Sequence, residues 1–371
     1  MRELKNPFYT KQIECPVCGN FTNNLVLKSK VVIPSKTDTD NYVLEYQWLS
    51  SSYKKCQPSF YSLWVCATCG YADFPENFST FLHDSTRDFL LLKNAVLQNT
   101  GSKESVLYQL LAPLKLQEEI GLTIEEAMNI HLLAIYCHDI LLPNSNDCGN
   151  LGRLYLRYSW LFRDYKRLNM QTRSFAGFND YWEYLDSLKK FWPKIPVDEK
   201  TSMRKAAFYF NQVIEENFSF EEAVKNIKEI FFAAELYLKV GEYQKALGVV
   251  DVIIGHGMES RTVIQRFIAE RKKEKNLAQQ EEMYLRSKMR KISDQLLLVH
   301  EKQETIFKAW ADSCSDIIDE VFKTYNSCDP GVIEAKLLAN DVPKDLVEFL
   351  KNNDKRFMIQ DNKKNFWKFW K

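Results

Sequence analysis

The sequence predicts a mainly α protein that begins with a β-rich zinc ribbon and ends with a small α+β module. Three observations support this fold class. Two CxxC motifs lie in the β-prone residues 10–80, apolar residues recur at helical spacing through residues 81–257, and residues 258–325 form one charged segment without Gly or Pro. The predicted domains are therefore a zinc ribbon, a helical body similar to tetratricopeptide (TPR) repeats, a long helix or coiled coil, and a basic, aromatic module at residues 330–371.

The composition is that of a folded protein rich in helices. Of 371 residues, 45% are hydrophobic, and Gly (12) and Pro (11) are scarce beside Phe (24) and Tyr (18), which favours helices with aromatic cores. The 50 Lys and Arg residues nearly balance the 49 Asp and Glu residues, so the net charge is only +1. This balance excludes a protein that binds nucleic acid over its whole surface, but it allows local basic patches.

The sequence also predicts a cytoplasmic protein that does not enter a membrane. The first residues lack the apolar core of a signal peptide, and no segment approaches the roughly 18 apolar residues of a membrane helix. The longest candidate, residues 130–142, contains His131, His138 and Asp139. In a reducing compartment the nine cysteines are expected to be thiols or metal ligands rather than disulfides.

Residues 10–80 contain short segments with strand propensity. Residues 25–27, 31–33 and 60–66 are rich in Val, Leu, Ile and aromatic side chains, which is typical of strands. Residues 37–41 combine Asp, Thr and Asn, which is typical of a turn or loop. The long stretch between the two CxxC motifs is expected to fold back as a hairpin-like excursion.

The strongest chemical signal is the pair of CxxC motifs, which hold Cys15 with Cys18 and Cys66 with Cys69. The sulfurs of such a turn converge on one side, and two turns supply the four thiolates of a tetrahedral Zn²⁺ about 2.3 Å from each sulfur. A Gly follows each second cysteine, where the chain turns back. A closed site implies structural zinc, because catalytic zinc keeps a position for water. The alternatives are two unrelated thiol pairs or a redox CxxC, and Cys56 is interpreted as a spare thiol.

These residues resemble a bacterial family known as domain of unknown function 2225. The resemblance rests on CPVC at residues 15–18 and FYSLWVCATCGYA at residues 60–72, and it continues at residues 132–137 and 154–163. It covers residues 10–255 and implies a zinc-ribbon head joined to helical repeats, with metal binding and a scaffold role. The family has no established activity that could be carried over, and the segments after residue 258 fall outside the resemblance.

Residues 231–254 show the residue order of a TPR: small residues at helix contacts, aromatic residues in the gaps and a turn glycine. These residues are Ala233, Ala234, Tyr237, Gly241, Tyr243 and Ala246. Residues 129–142 and 152–168 are a second candidate helix pair, without the turn glycine. Helix boundaries are predicted at residues 143–146, 193–196 and 255–257. Such repeats stack into a curved surface that can bind a peptide; an ordinary helical bundle is the alternative.

A 4-3 spacing of apolar residues runs from Leu285 to Trp310, with Gln303 as its polar member. So narrow a seam predicts a coiled coil, formed either within the chain or between two chains; the second case gives a homodimer through residues 285–310. The alternative is one amphipathic helix packed on the repeats. Residues 271–291 carry eight Lys or Arg against three Asp or Glu, which is typical of a solvated helix face.

The C-terminal module combines basic and aromatic residues, with seven Lys or Arg and two Asp in residues 351–371. Residues 331–339 and 344–352 are predicted to form two short helices, and residues 357–359 and 365–370 a hairpin. Two helices and a hairpin outline a winged helix, in which basic residues contact phosphates and aromatic residues stack on bases. The alternative is that the aromatic residues form the core of this module.

Signatures of catalysis are missing from the sequence. It contains no GxGxxG, GxxxxGK[ST] or GxSxG, and the segment that starts at His300 lacks the second His of a zinc protease. His131 and His138, seven residues apart, fit a pair of core histidines better than a metal site. The sequence therefore predicts a non-enzymatic zinc-binding scaffold that binds a protein partner through its helical body. The alternative function is a nucleic-acid-associated regulator that uses the C-terminal module and the ribbon.

Overall fold

The computed structural model describes residues 7–50, 53, 56–80, 86–115, 121–141, 147–172, 176–217, 231–274, 278–325, 329–340 and 342–354. It is mainly helical with short antiparallel strand pairs near the N-terminus, as predicted. The chain divides into two compact units, the first made of Met1–Phe218 and Lys228–Leu236 and the second of Ser219–Ile227 and Tyr237–Lys371. In the described ranges, no helix is both long and apolar enough to cross a membrane.

Two-stranded antiparallel hairpins form the ribbon at the start of the first unit. Their strands are β1 (Phe8–Glu14), β2 (Phe21–Leu27), β3 (Val32–Thr37), β4 (Val43–Trp48), β5 (Trp64–Val65) and β6 (Ala72–Asp73). The strands predicted at residues 25–27 and 31–33 and the loop predicted at 37–41 are confirmed as β2, β3 and the β3–β4 turn, with β3 starting one residue late. One CxxC motif joins β1 to β2, and the other joins β5 to β6.

Residues 60–66, predicted as a strand, form a strand only near their end. Pro58–Tyr61 is a turn of 3-10 helix, and β5 begins at Trp64. Proline favours this turn because its φ is fixed and it has no N–H to donate to a neighbouring strand. The turn also brings the Ser59 hydroxyl to the helical body, where it donates a hydrogen bond to Asp164 (2.7 Å).

Helices make up the rest of the first unit. They are α1 (Pro75–Thr80), α2 (Arg87–Thr100), α3 (Val106–Leu111), α4 (Ile124–Ile135), α5 (Cys148–Thr172), α6 (Ala176–Leu188), α7 (Glu199–Asn217) and the described part of α8 (residues 231–239), whose residues 237–239 belong to the second unit. α4 is the central helix, because nearly all of its residues are buried and it packs on both α3 and α5. It continues into one π turn, Tyr136–Ile140, in which Leu141 N donates to Tyr136 O (3.0 Å).

The helix pair predicted at residues 129–142 and 152–168 is present as α4 and α5, which pack on each other. The boundary predicted at residues 193–196 is confirmed between α6 and α7, whereas residues 143–146 lie outside the described residues. Gly152 lets α5 approach α7 closely, since a Cβ at this position would lie 2.9 Å from the ring of Phe210. The relation of these helices to TPR repeats stays a prediction.

Within the second unit the chain turns at Gly241, whose φ of +82° is readily adopted only by glycine. This is the turn glycine predicted between the two helices of residues 231–254. The helices of the unit are α9 (Tyr243–Lys273), α10 (Gln279–Ser313), α11 (Ser315–Tyr325), α12 (Pro330–Ala339) and α13 (Lys344–Asn353). The predicted long helix is present as α10.

The helix boundary predicted at residues 255–257 is wrong. α9 runs without a break through both glycines. A glycine inside a helix costs about 1 kcal/mol relative to alanine, but Ile253 and Gly257 lie on the buried side of α9, and this packing keeps the segment helical. Residues 258–325 also differ from one continuous helix, because α9 ends at Lys273 and α10 begins at Gln279.

α9 and α10 pack on each other in antiparallel orientation. The register is defined by the stacked rings of Tyr243 and Trp310 (5.7 Å), the hydrogen bond from Gln303 to Asp251 (2.9 Å) and the ion pair of Lys272 and Glu282 (2.6 Å). The predicted seam lies on the buried side of α10, where Ile292, Leu296, Val299 and Ile306 are buried. The homodimer through residues 285–310 stays a prediction, and it would have to use other side chains of α10.

The two short helices predicted at residues 331–339 and 344–352 are confirmed as α12 and α13. Asp329 caps α12 by accepting a hydrogen bond from Gly331 N (2.9 Å). The helices share an apolar core with α11, formed by Cys314, Ile318, Val321, Ile333, Leu337, Val342, Leu346, Val347 and Leu350. The hairpin predicted at residues 357–370, and with it the winged helix, lies outside the described residues.

A network of charged side chains joins the ribbon to the helices of the first unit. Arg163 on α5 binds Asp40 (2.7 Å) and Asp38 (3.4 Å) in the β3–β4 turn and Glu199 (2.6 Å) at the start of α7. Asp40 is fully buried, so its charge depends on Arg163 and on the indole N–H of Trp160 (3.3 Å). This network fixes the position of the β3–β4 hairpin on α5.

We expect Arg163→Leu to lower the free energy of unfolding by roughly 3–5 kcal/mol, because it removes the guanidinium that binds the buried carboxylate of Asp40. Lys166→Leu is the matched control: Lys166 binds only Glu199 among its described ion pairs and is largely exposed, so less than about 1 kcal/mol should be lost. Urea denaturation of the three proteins measures both changes. Equal effects of the two substitutions would contradict this account of the network.

Candidate metal centre

The two CxxC turns have the same backbone geometry. In the first turn, Gly19 N donates to Cys15 O (2.9 Å), and in the second, Gly70 N donates to Cys66 O (2.9 Å). Both glycines have a φ of +74°, a conformation that other residues rarely adopt. The glycine after each motif therefore closes the turn and aims both sulfurs to the same side.

The structure brings Cys15, Cys18, Cys66 and Cys69 into one cluster, with all four sulfurs within 4.8 Å of one another. Cys15 Sγ lies 3.7 Å from Cys69 Sγ, and Cys18 Sγ lies 3.6 Å from Cys66 Sγ. Four sulfurs at about 2.3 Å from a tetrahedral metal would be about 3.8 Å apart, which agrees with these spacings. The cluster could therefore hold a metal ion. Cys56, predicted to be a spare thiol, does not belong to it.

Neighbouring thiols in the cluster shift one another's pKa values in opposite directions. Hydrogen bonds from Cys15 and Cys69 lower the pKa of Cys66 to about 2. The bond to Cys66 raises the pKa of Cys15 to about 12, and neighbouring thiols and burial raise the pKa of Cys69 still further. Cys15, Cys66 and Cys69 therefore do not ionise together without a countercharge, and a bound cation would supply it.

The second CxxC turn is embedded in the helical body. Thr100 Oγ1 of α2 donates to Cys69 O (3.0 Å), and Gly70 lies against Leu107 of α3 and Leu133 of α4. The first turn is more open: Cys18 is only partly buried and accepts a hydrogen bond from Asn20 Nδ2 (3.5 Å). The cluster thus joins an open ribbon turn to a turn that is anchored on three helices.

A buried ion pair lies next to the second turn. Tyr71 donates its hydroxyl to Asp73 Oδ2 (2.9 Å), and His138 Nε2 of the π turn approaches the same oxygen (2.9 Å). Burial opposes charge on both partners. Their mutual attraction is stronger, so the pKa of Asp73 is lowered and that of His138 is raised. Sequence spacing did not indicate this pair, because it joins residues that are distant in the chain.

His131 and His138 are both core histidines, as the sequence favoured, and neither belongs to the sulfur cluster. His131 Nδ1 lies 2.7 Å from Ala127 O, and its Nε2 lies 3.1 Å from the hydroxyl of Ser62. Burial lowers the pKa of His131 to about 4, so the ring is neutral at pH 7. It links the segment before β5 to α4.

The fold and the cluster together define a mainly helical protein whose ribbon carries four cysteines that could hold a metal ion. A family model described as "Uncharacterized protein conserved in bacteria (DUF2225)" matches residues 8–277, so the chain belongs to this family. The match extends about twenty residues further than the resemblance in the sequence indicated. It ends before α10, so that α10 to α13 lie outside it.

A relative from Borreliella burgdorferi, described as "Uncharacterized protein", is 26% identical over 167 residues. The aligned region is 44% of this chain and 56% of the relative, so the chain spans little more than half the length of that protein. No solved structure matches the chain.

We expect His138→Gln to destabilise the protein most between about pH 4 and 6.5. Because the pKa of His138 is raised on folding, its contribution to the free energy of unfolding is complete below the unfolded-state pKa of 6.5. That contribution is lost as the pH rises through the folded-state pKa. Because the pKa of Asp73 is lowered on folding, its contribution to the free energy of unfolding is present above the unfolded-state pKa of 3.8. That contribution is lost as the pH falls through the folded-state pKa.

Urea denaturation of wild type and His138→Gln across this pH range gives the difference in the free energy of unfolding. His300→Gln, an exposed position on α10, is the control and should change little at any pH. A difference between wild type and His138→Gln that does not vary with pH would show that the pair is not ionised in the native state.

Proposed function

We propose that Cys15, Cys18, Cys66 and Cys69 bind one structural Zn²⁺ and that the protein is a non-enzymatic scaffold. The observation that supports this most directly is that four cysteine sulfurs lie within 4.8 Å of one another, two of their spacings being 3.6 and 3.7 Å. All four positions of a tetrahedral ion would be filled by protein, which leaves none for water or substrate. Thiolate ligands also require reduced cysteines, which favours a cytoplasmic location.

In this proposal zinc keeps the ribbon in one position on the helices of the first unit. The ion would link the open turn at Cys18 to the turn at Cys69, which is anchored by Thr100. Structural zinc contributes folding free energy on the order of 10 kcal/mol in small metal-binding domains, so the metal would supply a large part of the ribbon's stability. The helices would then present a fixed surface to a partner.

The proposed partner is a protein that binds the helical body. α2 supports this choice, since Leu90, Leu91 and Leu97 are exposed on it although they are large and apolar. Exposed apolar groups of this kind often belong to protein interfaces. Leu90 and Leu97 are seven residues apart, so they lie on the same side of the helix.

We expect purified protein to contain one zinc per chain by elemental analysis. Cys66→Ser should lose the metal and unfold the ribbon, because three thiolates cannot complete the site, while most of the helical circular-dichroism signal remains. Cys56→Ser is the matched control and should keep both metal and stability, since this cysteine is outside the cluster. Protein that holds no metal, or a Cys66→Ser variant as stable as wild type, would refute the site. Stoichiometric iron would refute the choice of zinc.

The scaffold proposal is tested by capture from a native lysate with and without nuclease. We expect a protein partner that nuclease does not release and that the double variant Leu90→Lys, Leu97→Lys no longer binds. Leu44→Lys, at a similarly exposed leucine of β4, is the control and should retain the partner. Release of the partner by nuclease would favour the nucleic-acid-associated alternative instead.

A further inference from the structure

Arg157 differs from the other arginines of α5. Arg153 binds Glu76 (3.0 Å), and Arg163 and Arg167 each bind a buried aspartate (2.7 and 2.6 Å). By contrast, no hydrogen bond or ion pair joins the guanidinium of Arg157 to the residues that the structure describes. A guanidinium carries five N–H groups that can donate hydrogen bonds, so the binding capacity of Arg157 is unused in the described part of the chain.

The ring of Phe74 holds Arg153 and Arg157 beside each other. The Cζ atoms of the two arginines lie 4.2 and 5.0 Å from the centroid of this ring. Because the arginines are four residues apart on α5, they lie on the same side of the helix, one turn apart. Phe74 is buried and directly follows β6, so its ring is a fixed support. A ring contact orients a guanidinium without accepting hydrogen bonds from its edge, so the N–H groups of Arg157 remain available.

The charge of Arg157 is only partly balanced by its described surroundings. Burial and then the charge of Arg153 lower the pKa of Arg157, while Glu76 raises it. Arginine stays protonated at pH 7 in spite of such shifts, so the charge persists. The same charge adds to the effect of burial in lowering the pKa of His131 in the core. A partly buried cation without a hydrogen-bonded anion is costly, and a bound anion would remove this cost.

The nitrogens of Arg157 are open to a ligand. Although the residue is partly buried, none of its nitrogens belongs to the buried polar atoms that lack a hydrogen-bond partner. Since they have no partner in the described ranges either, they keep contact with solvent. The side chain of Arg153, one helical turn away, is 46% exposed. Arg153 and Arg157, which we call the arginine pair, therefore form a positively charged site that solvent can reach.

We propose that the arginine pair binds a phosphate group. A phosphate monoester has three free oxygens and about 1.5 to 2 negative charges at pH 7, so it can accept hydrogen bonds from both guanidinium groups at once. A carboxylate has two oxygens, which one guanidinium satisfies in the bidentate geometry. Glu76 already supplies a carboxylate to Arg153, yet Arg157 is left without an acceptor among the described residues. These properties favour phosphate over a carboxylate as the occupant.

The site is independent of the proposed zinc site and of the exposed leucines of α2, since its residues belong to neither. A purely structural role for Arg157, as a cover for Phe74, is the alternative. Arg157→Met separates the two roles, because methionine keeps an apolar contact with Phe74 and removes the charge. We expect this variant to lose phosphate binding while its urea midpoint of unfolding stays the same or rises, because the lost charge had no bound countercharge. A lower midpoint together with unchanged phosphate binding would assign the structural role and overturn the proposal.

Titration of inorganic phosphate into the full chain, followed by phosphorus NMR, tests the site. We expect saturable binding with a Kd of about 1 mM or tighter. Arg157→Gln should raise the Kd by about tenfold or more, because it removes charge-assisted hydrogen bonds. Arg157→Lys should also raise it, since lysine keeps the charge but not the planar fork. Glu76→Gln should lower the Kd by about twofold to fivefold, because a neutral amide no longer competes for Arg153.

Arg266→Gln is the control, because it removes the same charge from an exposed position on α9 and should leave the Kd unchanged. Acetate should bind about tenfold more weakly than phosphate, since one guanidinium satisfies it. Inorganic phosphate, glucose 6-phosphate and a neutral phosphoserine peptide represent three sources of the group, and the tightest of them identifies the source. Absence of saturable binding up to about 20 mM phosphate would overturn the proposal. Equal Kd values for acetate and phosphate, or equal effects of Arg157→Gln and Arg266→Gln, would overturn it as well.

Discussion

The convergence of two distant CxxC turns on one point organises the first unit. Cys15 and Cys69 are 54 positions apart in sequence, yet their sulfurs are 3.7 Å apart. The entropic cost of closing such a loop grows only slowly with its length, so the chain between the turns can extend away from the cluster. It does so as the β3–β4 hairpin, whose turn reaches Arg163 on α5. The sulfur cluster and this arginine together determine where the ribbon meets the helices.

The parts of the structure that sequence analysis predicted depend on local rules. The four cysteines, the turn at Gly241 and the helices α12 and α13 each follow from spacing or composition within a short window. The buried polar contacts do not, because their partners are distant: Tyr42 donates to Asp164 across 122 positions (2.9 Å). Burial raises the pKa of Asp164, and its hydrogen-bond donors oppose this effect, but no spacing rule connects these residues. Only the folded chain shows that they meet.

The helix boundary that sequence analysis placed wrongly at residues 255–257 shows how weak local propensity is beside packing. Glycine disfavours a helix by about 1 kcal/mol per residue, whereas burial of one large apolar side chain contributes about 1.5–3 kcal/mol. The buried residues around Gly255 and Gly257 therefore keep α9 helical. Residues 60–62 have a different, local cause: Pro58 starts a 3-10 turn, after which Ser62 approaches His131 instead of continuing a strand.

In the π turn at the end of α4, two neighbouring residues contact different partners, so the number of residues in the turn matters. Within it, His138 faces Asp73, while the next residue, Asp139, accepts hydrogen bonds from the hydroxyls of Tyr155 and Tyr209. A π turn holds one residue more than an α turn. Deleting one residue from this segment would restore a regular helix and rotate the following side chains by about 100°. One of the two contacts would then be lost, so this short stretch tolerates substitutions more readily than changes of length.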